Sequence, residues 1–330
     1  MNGRFLVLSN REPPPFEFCI IHKGGISMQR GVTSATHLTR PQKIKRAIGK
    51  TVLLWPAILL LLVFFLWPIL MALYYSVTNM ALSGAAAREL KFIGLENYRK
   101  LFSDVNMFNS IKKTMVFLIG SIVGQDVLGF MMAYFMKRKN RVVRRIVGTI
   151  ILGGWVMPEI VVAICLYAFF YNRDTGTLNS IIGMFGGKPV AWLYNHAMLT
   201  VILANIWHGM AYSMMVFQAA LDDVPDDIEE SAYMDGATRL QNLRYIIIPH
   251  VKPTIYTNTM LITLMTLGVF GLIYALTGGG PNGATQTMPI YMYIQAFKSF
   301  QLGYGSAISV VLLMLGIALS VLYTRIAKDK

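Results

Sequence analysis

Charge is scarce in this chain of 330 residues. Asp, Glu, Lys and Arg make up 14% of it, 55% is apolar, and the mean hydropathy is +0.52. Soluble domains carry about a quarter charged residues, so a soluble globule is excluded. Acidic residues are scarcer than basic ones, 16 against 30, for a net charge of +14. A basic excess suits nucleic acid, but in a multi-span chain Lys and Arg gather in cytoplasmic loops; topology is the reading preferred here, and no nucleic-acid partner is expected. There are two cysteines, Cys19 in a polar stretch and Cys165 in an apolar run. Those positions exclude a disulfide framework, and no zinc spacing exists, so no metal site is expected. A phosphate loop of the form G-x-x-x-x-G-K-[ST] is missing, and so is any catalytic constellation, so the chain is not expected to be an enzyme or to hydrolyse ATP itself. No short apolar run with a cleavage site opens the chain, so a cleaved signal peptide is not expected. No internal repeat of useful strength is visible.

What the chain does have is apolar runs of 20 residues or more, the length that crosses a bilayer. Six spans are expected, at about 51–75, 114–136, 146–171, 197–221, 254–276 and 302–325. Residues 1–50 are polar and basic, with Pro13, Pro14 and Pro15 in a row, and predict a flexible tail ahead of a six-span domain over 51–330. With residue 1 placed inside, 21 of the 30 Lys and Arg fall in inside segments and 9 outside. The positive-inside rule therefore places both ends in the cytoplasm. The cluster over 137–145 is the strongest marker of orientation, and contact with anionic lipid is expected of it.

One polar insert, 222–250, separates the fourth and fifth spans. Asp223 and Pro225 suit a helix start. The run 226–235 reads as a short helix broken by Gly236, and 238–245 as a second, ended by Pro249. A helix–Gly–helix elbow suits docking into another protein's groove. Within it Glu229 precedes a spaced set: Glu230, Ser231 and Ala232, then Gly236 after three residues, Ile246 after nine more, then Ile248 and Pro249. This spacing resembles the coupling motif EAA-x3-G-x9-I-x-LP of the membrane subunits of ATP-binding-cassette (ABC) importers, with Ser231 and Ile248 as conservative departures. Asp235, Gly236 and Ala237 look like the sugar-importer branch. Further stretches resemble the same carbohydrate-uptake (maltose/glycerol-3-phosphate-type) permeases of binding-protein-dependent transport systems. They are 92–98 (FIGLENY), 176–179 (GTLN), and the turn Thr277, Gly278, Gly279, Gly280 and Pro281, which must end the fifth span. The resemblance covers about 43–325.

Polar groups inside the spans need an interior or wet surrounding, since a carboxylate at the bilayer centre costs about 2.5–3.5 kcal/mol. Asp126 and Glu159 fall near the middles of the second and third spans. Asn205, His208 and Tyr212 share one face of the fourth. Hydrogen-bonding groups beside an aromatic ring suit a sugar, so these five are candidates for a substrate path. Packing between helices is the plainer reading, and Asp126 is open to pairing with Glu159 or His208. Gly120 and Gly124 form a small-xxx-small pair for close helix packing.

The resemblance implies an all-α integral membrane permease, one of two membrane subunits of an ATP-driven sugar importer. It implies as partners a second related permease, two ATPase subunits that bind Mg-ATP, and an extracytoplasmic sugar-binding protein facing the Gly278–Gly279–Gly280–Pro281 loop, with membrane lipid around the spans and no cofactor in this chain. Glycerol-3-phosphate is an alternative substrate, although the spans hold almost no Lys or Arg. A proton-coupled secondary carrier using Asp126 and Glu159 is an alternative of another class.

Overall fold

A computed structural model of the chain describes residues 21–22, 25–26 and 54–328. The chain divides into two compact units, Met1–Phe65 and Leu66–Lys330. In the first, β1 (Ile21–His22) pairs antiparallel with β2 (Gly25–Ile26), the only strands among the described residues. The expectation of a flexible tail otherwise lies outside the described residues.

The remaining described elements are helical, joined by turns and one isolated bridge between Thr78 and Phe92. Apart from two single turns at Ala85–Arg88 and Trp192–Asn195 and a π-helical turn at Ile294–Lys298, they are in order α1 (Leu54–Ser76), α2 (Glu96–Ser103), α3 (Val105–Lys137), α4 (Arg141–Val156), α5 (Glu159–Phe169), α6 (Thr177–Met184), α7 (Ala197–Asp222), α8 (Asp226–Met234), α9 (Arg239–Leu267), α10 (Gly271–Thr277), α11 (Met288–Tyr293) and α12 (Leu302–Lys328). Four of them, α1, α3, α7 and α12, are long and apolar enough to cross a membrane alone; there are six spans if each of two bent pairs counts as one.

The expected third and fifth spans are each bent. The helix axis turns by 101° between α4 and α5, and by 50° between α9 and α10. Pro158 causes the first: it disfavours the helical region for Met157, which takes ψ 138°, and its own extended backbone starts α5. The second falls at Gly268, where α9 ends. α3 begins at Val105 rather than near 114, because Asp104 caps it by accepting from the Asn106 amide.

Without a hydrophobic drive between helices in lipid, close contact does the packing. α3 and α7 lie against each other so tightly that a Cβ on Gly124 would sit 2.2 Å from the Ile206 Cδ1, and one on Gly129 2.6 Å from the Ser213 Cβ. Phe117, Val201 and Ala204 continue into a buried cluster with Val162 of α5 and Leu272, Ile273 and Leu276 of α10. Ala133, Met214, Phe217 and Leu221 form a second with Ile247 and Val251 of α9.

The short stretches that resemble permeases are clasps between segments. Asn97 is buried and donates to the Ser76 and Thr78 carbonyls at 2.8 and 2.9 Å, while the Tyr98 hydroxyl donates to the Ser76 Oγ at 2.8 Å. Tyr291 and Tyr304 both donate to Asp104, the latter at 2.6 Å. Burial raises the Asp104 pKa, but those hydrogen bonds, with the ones from the Asn106 and Met107 amides, outweigh it and the net shift is downward. Asn179 makes five contacts. Its Nδ2 faces the Tyr171, Arg173 and Val190 carbonyls at 3.0–3.2 Å, and its Oδ1 accepts from the Val190 amide and the Trp192 indole at 3.0 Å. Asn179→Ala is therefore expected to destabilise the chain by about 3 kcal/mol, since each orphaned buried group costs about 1–3 kcal/mol. Thermal unfolding in detergent checks it, and an unchanged melting temperature would contradict it.

Candidate functional sites: a cavity between the helices and a polar elbow

A cavity of about 240 Å³ opens between α3, α4, α5, α7 and α9. Asn205, His208 and Tyr212 of α7 line it, as does Glu159 at the start of α5. The shared face of α7 brings the first three together, and the Pro158 break brings in the fourth. The Trp155 ring lies 5.8 Å from that of Tyr212. Gln125 is buried and donates to the Asn205 backbone carbonyl at 3.3 Å; it lies so close to α7 that a Cβ on Gly209 would meet its amide at 2.4 Å. Asn205 is 5% exposed. Its Nδ2 and the His208 Nε2 are buried atoms with no hydrogen-bond partner among the described residues. Buried polar groups are normally paired, so two unpaired ones at a cavity wall suit a hydroxyl-bearing guest. No Lys or Arg lines the cavity.

Asp126 stands apart from this group. Its carboxylate accepts from Asn258 Nδ2 at 2.8 Å and from Thr259 Oγ1 at 2.7 Å, and Asn258 also reaches the Ser213 hydroxyl at 3.0 Å. A tie between α3 and α9 thus takes the place of a pairing with Glu159 or His208. Asp126→Leu strands those donors and is expected to lower stability by about 1–3 kcal/mol, with folded yield falling in step. Asp126→Asn keeps an acceptor and is expected to be milder. Equal melting temperatures for the two variants would rule the tie out. Asn258 itself is a polar residue in an apolar helix, a signal that sequence reasoning passes over, as it does Gln125 and Trp155.

The polar insert folds as an elbow. α7 ends at Asp222, and Pro225, not Asp223, stands at the start of α8, without a side-chain cap. α8 closes at Met234. Gly236 follows with φ +83°, in the left-handed region that favours glycine. Thr238 and Gln241 then start α9 with a reciprocal capping box. Pro249 does not end this second helix. The chain widens into a π-helical turn over Leu243–Ile247, with the Ile248 amide bonding the Leu243 carbonyl, and α9 runs on to Leu267. A proline has no N–H to donate, and the widened turn just before it absorbs the misfit. α1 does the same over Leu62–Leu66 ahead of Pro68.

On the elbow Glu230, Ser231, Asp235, Gly236 and Pro249 are exposed, and Ala232 and Ala237 are partly so. Met234 and Leu240 flank Gly236 and are 87% and 72% exposed. Glu229 faces inward instead. It is buried, pairs with Lys137 at the end of α3, and accepts from Asn242 Nδ2 at 3.1 Å. Near the other bend of the chain, α10 ends at Thr277, with Gly278 at φ +60° and Gly279 at φ +90°. The Thr277 and Thr285 hydroxyls bond at 2.6 Å across the Gly280–Pro281 turn, and Lys113 of α3 donates to the Gly283 carbonyl at 2.6 Å.

Residues 127–330 match the family described as binding-protein-dependent transport system inner membrane component. The trehalose/maltose transport system permease protein MalF of Thermococcus litoralis is 29% identical over 301 residues, covering 88% of this chain and 98% of its own. The multiple sugar-binding transport system permease protein MsmF of Streptococcus mutans is 30% identical over 285 residues, or 85% of this chain and 95% of its own. The sn-glycerol-3-phosphate transport system permease protein UgpA of Agrobacterium fabrum is 31% identical over 280 residues, or 83% and 93%. Among solved structures, a bacterial ABC transporter involved in the import of the acidic polysaccharide alginate is similar in fold. Its TM-score is 0.70 over 87% of this chain and 97% of that one, at 20% identity. With bent apolar helices, a polar elbow and a match over residues 127–330, this chain belongs to the family of inner membrane components of binding-protein-dependent transport systems.

Proposed function

We propose that this chain is a permease subunit of an ATP-driven sugar importer, crossing the membrane six times with both ends in the cytoplasm. The observation that carries the substrate class is the cavity, where Asn205 and His208 hold unpaired polar atoms beside the Trp155 and Tyr212 rings. A sugar offers hydroxyls to the first pair and a C–H face to the second. The names of MalF and MsmF point the same way. The name of UgpA favours a second reading, glycerol-3-phosphate. Against it stands the lining, which holds Glu159 and no Lys or Arg, so a phosphate would meet a like charge.

The elbow over 222–250 docks on a cytoplasmic ATPase, with Met234 and Leu240 as apolar anchors around Gly236 and Glu230 as the charged contact. Exposed apolar side chains at the tip of a polar loop suit insertion into a groove. A second permease, two ATPases binding Mg-ATP and an extracytoplasmic sugar-binding protein complete the assembly, the last facing the Gly278–Gly279–Gly280–Pro281 loop. Purifying the assembly and screening candidate sugars with the binding protein for stimulation of ATPase activity tests this. Stimulation by a neutral sugar is expected; stimulation by glycerol-3-phosphate alone would replace the substrate.

A further inference from the structure

The basic segment joining α3 to α4 does more than mark topology. Lys137, the last residue of α3, pairs with Glu229 in the middle of α8, and the two side chains are only 13% and 10% exposed. The second Glu229 oxygen accepts from Asn242, which is fully buried at the start of α9. The same Asn242 amide donates to the Tyr233 hydroxyl at 2.9 Å, and Arg138 donates to that hydroxyl at 2.5 Å. Arg144 pairs with Asp222, where α7 gives way to the elbow. Three basic residues over 137–144 thus grip the first limb of the elbow and its root, and Asn242 of the second limb is held through Glu229 and Tyr233.

We infer that this segment is a clamp on the elbow, and that Lys137 and Glu229 are positioning residues that carry elbow movement into α3. Removing two charges from water is costly, and a buried pair adds little net stability over an apolar substitute; fixing one arrangement is its better-attested use. Lys137 is too enclosed to serve anionic lipid. α3 is an unbroken helix, and Gln125 stands 12 residues before Lys137, about 18 Å at about 1.5 Å per residue. A displacement of α8 is thereby delivered along one rod to the cavity wall, in parallel with the covalent route through α7. The transport half of this inference rests on the elbow being the ATPase dock.

The test uses two measurements on Lys137→Met, Glu229→Gln, and the swapped pair K137E/E229K with its two single parents. The first is trypsin cleavage at Arg239 and Arg244 in the full-length chain in detergent, which needs no ATPase. The single variants are expected to be cut about tenfold faster and the swapped pair at the wild-type rate. The second is sugar transported per ATP hydrolysed by the whole reconstituted assembly. The single variants are expected to keep their ATPases bound and lose at least tenfold in this ratio, and the swapped pair to recover to within about threefold. Lys137→Met and Glu229→Gln keep side-chain shape, so they read the clamp even where a charge reversal fails to fold. Wild-type cleavage in the single variants overturns the clamp. Faster cleavage with an unchanged transport ratio overturns the transmission. If Glu230→Lys leaves ATPase binding untouched, the docking assignment fails, and the trypsin measurement still decides the clamp.

Discussion

Gly236→Leu is expected to cut uptake at least tenfold while leaving the chain folded. Gly236 has φ +83°, and a Cβ built there meets nothing within 4 Å. The penalty is therefore in the backbone and not in a clash. An L-residue in this region costs about 1–2 kcal/mol, more for a bulky side chain than for Asn. The chain can relieve that cost only by opening the turn, which moves Met234 and the exposed face of α8 relative to Leu240. A lever that depends on one fixed bend then loses its seat in the partner, since a misplacement of about 1 Å is enough to spoil a fitted site. Glu230→Lys tests the same face by charge, with the reversed sign repelling a basic partner group. Gly236→Asn is the control, expected to retain most activity because Asn tolerates positive φ. Wild-type uptake by Gly236→Leu at normal expression would show that the bend is not what couples.

Asn205→Ala and His208→Ala are expected to lower sugar uptake tenfold or more, together with the sugar-dependent rise in ATPase activity. Neither should lower the melting temperature. The two expectations follow from one observation: Asn205 Nδ2 and His208 Nε2 are buried without protein partners among the described residues. Removing a paired group orphans its partner and destabilises the fold, whereas removing an unpaired one is nearly neutral or stabilising. A packing role predicts the opposite pattern, with stability and expression falling together. Gln125 sharpens the contrast. It bonds the Asn205 carbonyl, so Gln125→Ala is expected to cost stability as well as uptake. If the two α7 alanine variants unfold early and transport normally per folded molecule, the cavity is a packing defect and not a path.

Much of this is legible in the amino-acid sequence itself. Apolar length locates the long helices, and the spacing from Glu230 to Pro249 marks the elbow. Period and spacing also put Asn205, His208 and Tyr212 on one wall. What is not legible has physical causes. Pro158 is visible as a break but the 101° turn it makes is not, and Gly268 breaks a helix whose apolar pattern runs on, because composition does not register a bend. Pro249 has the chemistry of a stop, but a π-helical turn ahead of it lets α9 continue. Asp126 and Glu159 look equivalent at mid-span. Asp126 meets donors at Asn258 and Thr259, 132 and 133 residues away in sequence, while Glu159 reaches the cavity only through the 101° bend. Glu229 and Glu230 are neighbours in sequence, yet helical rotation buries one against Lys137 and leaves the other exposed.

Uptake into vesicles carrying the purified assembly is the most direct measurement of the central claim. Labelled sugar and binding protein are supplied on the binding-protein face and ATP on the other, with and without a protonophore. Accumulation is expected to require ATP and the binding protein, to be unchanged by the protonophore, and to vanish with Gly236→Leu. Accumulation that collapses under protonophore with ATP intact, or proceeds without ATP, would contradict it.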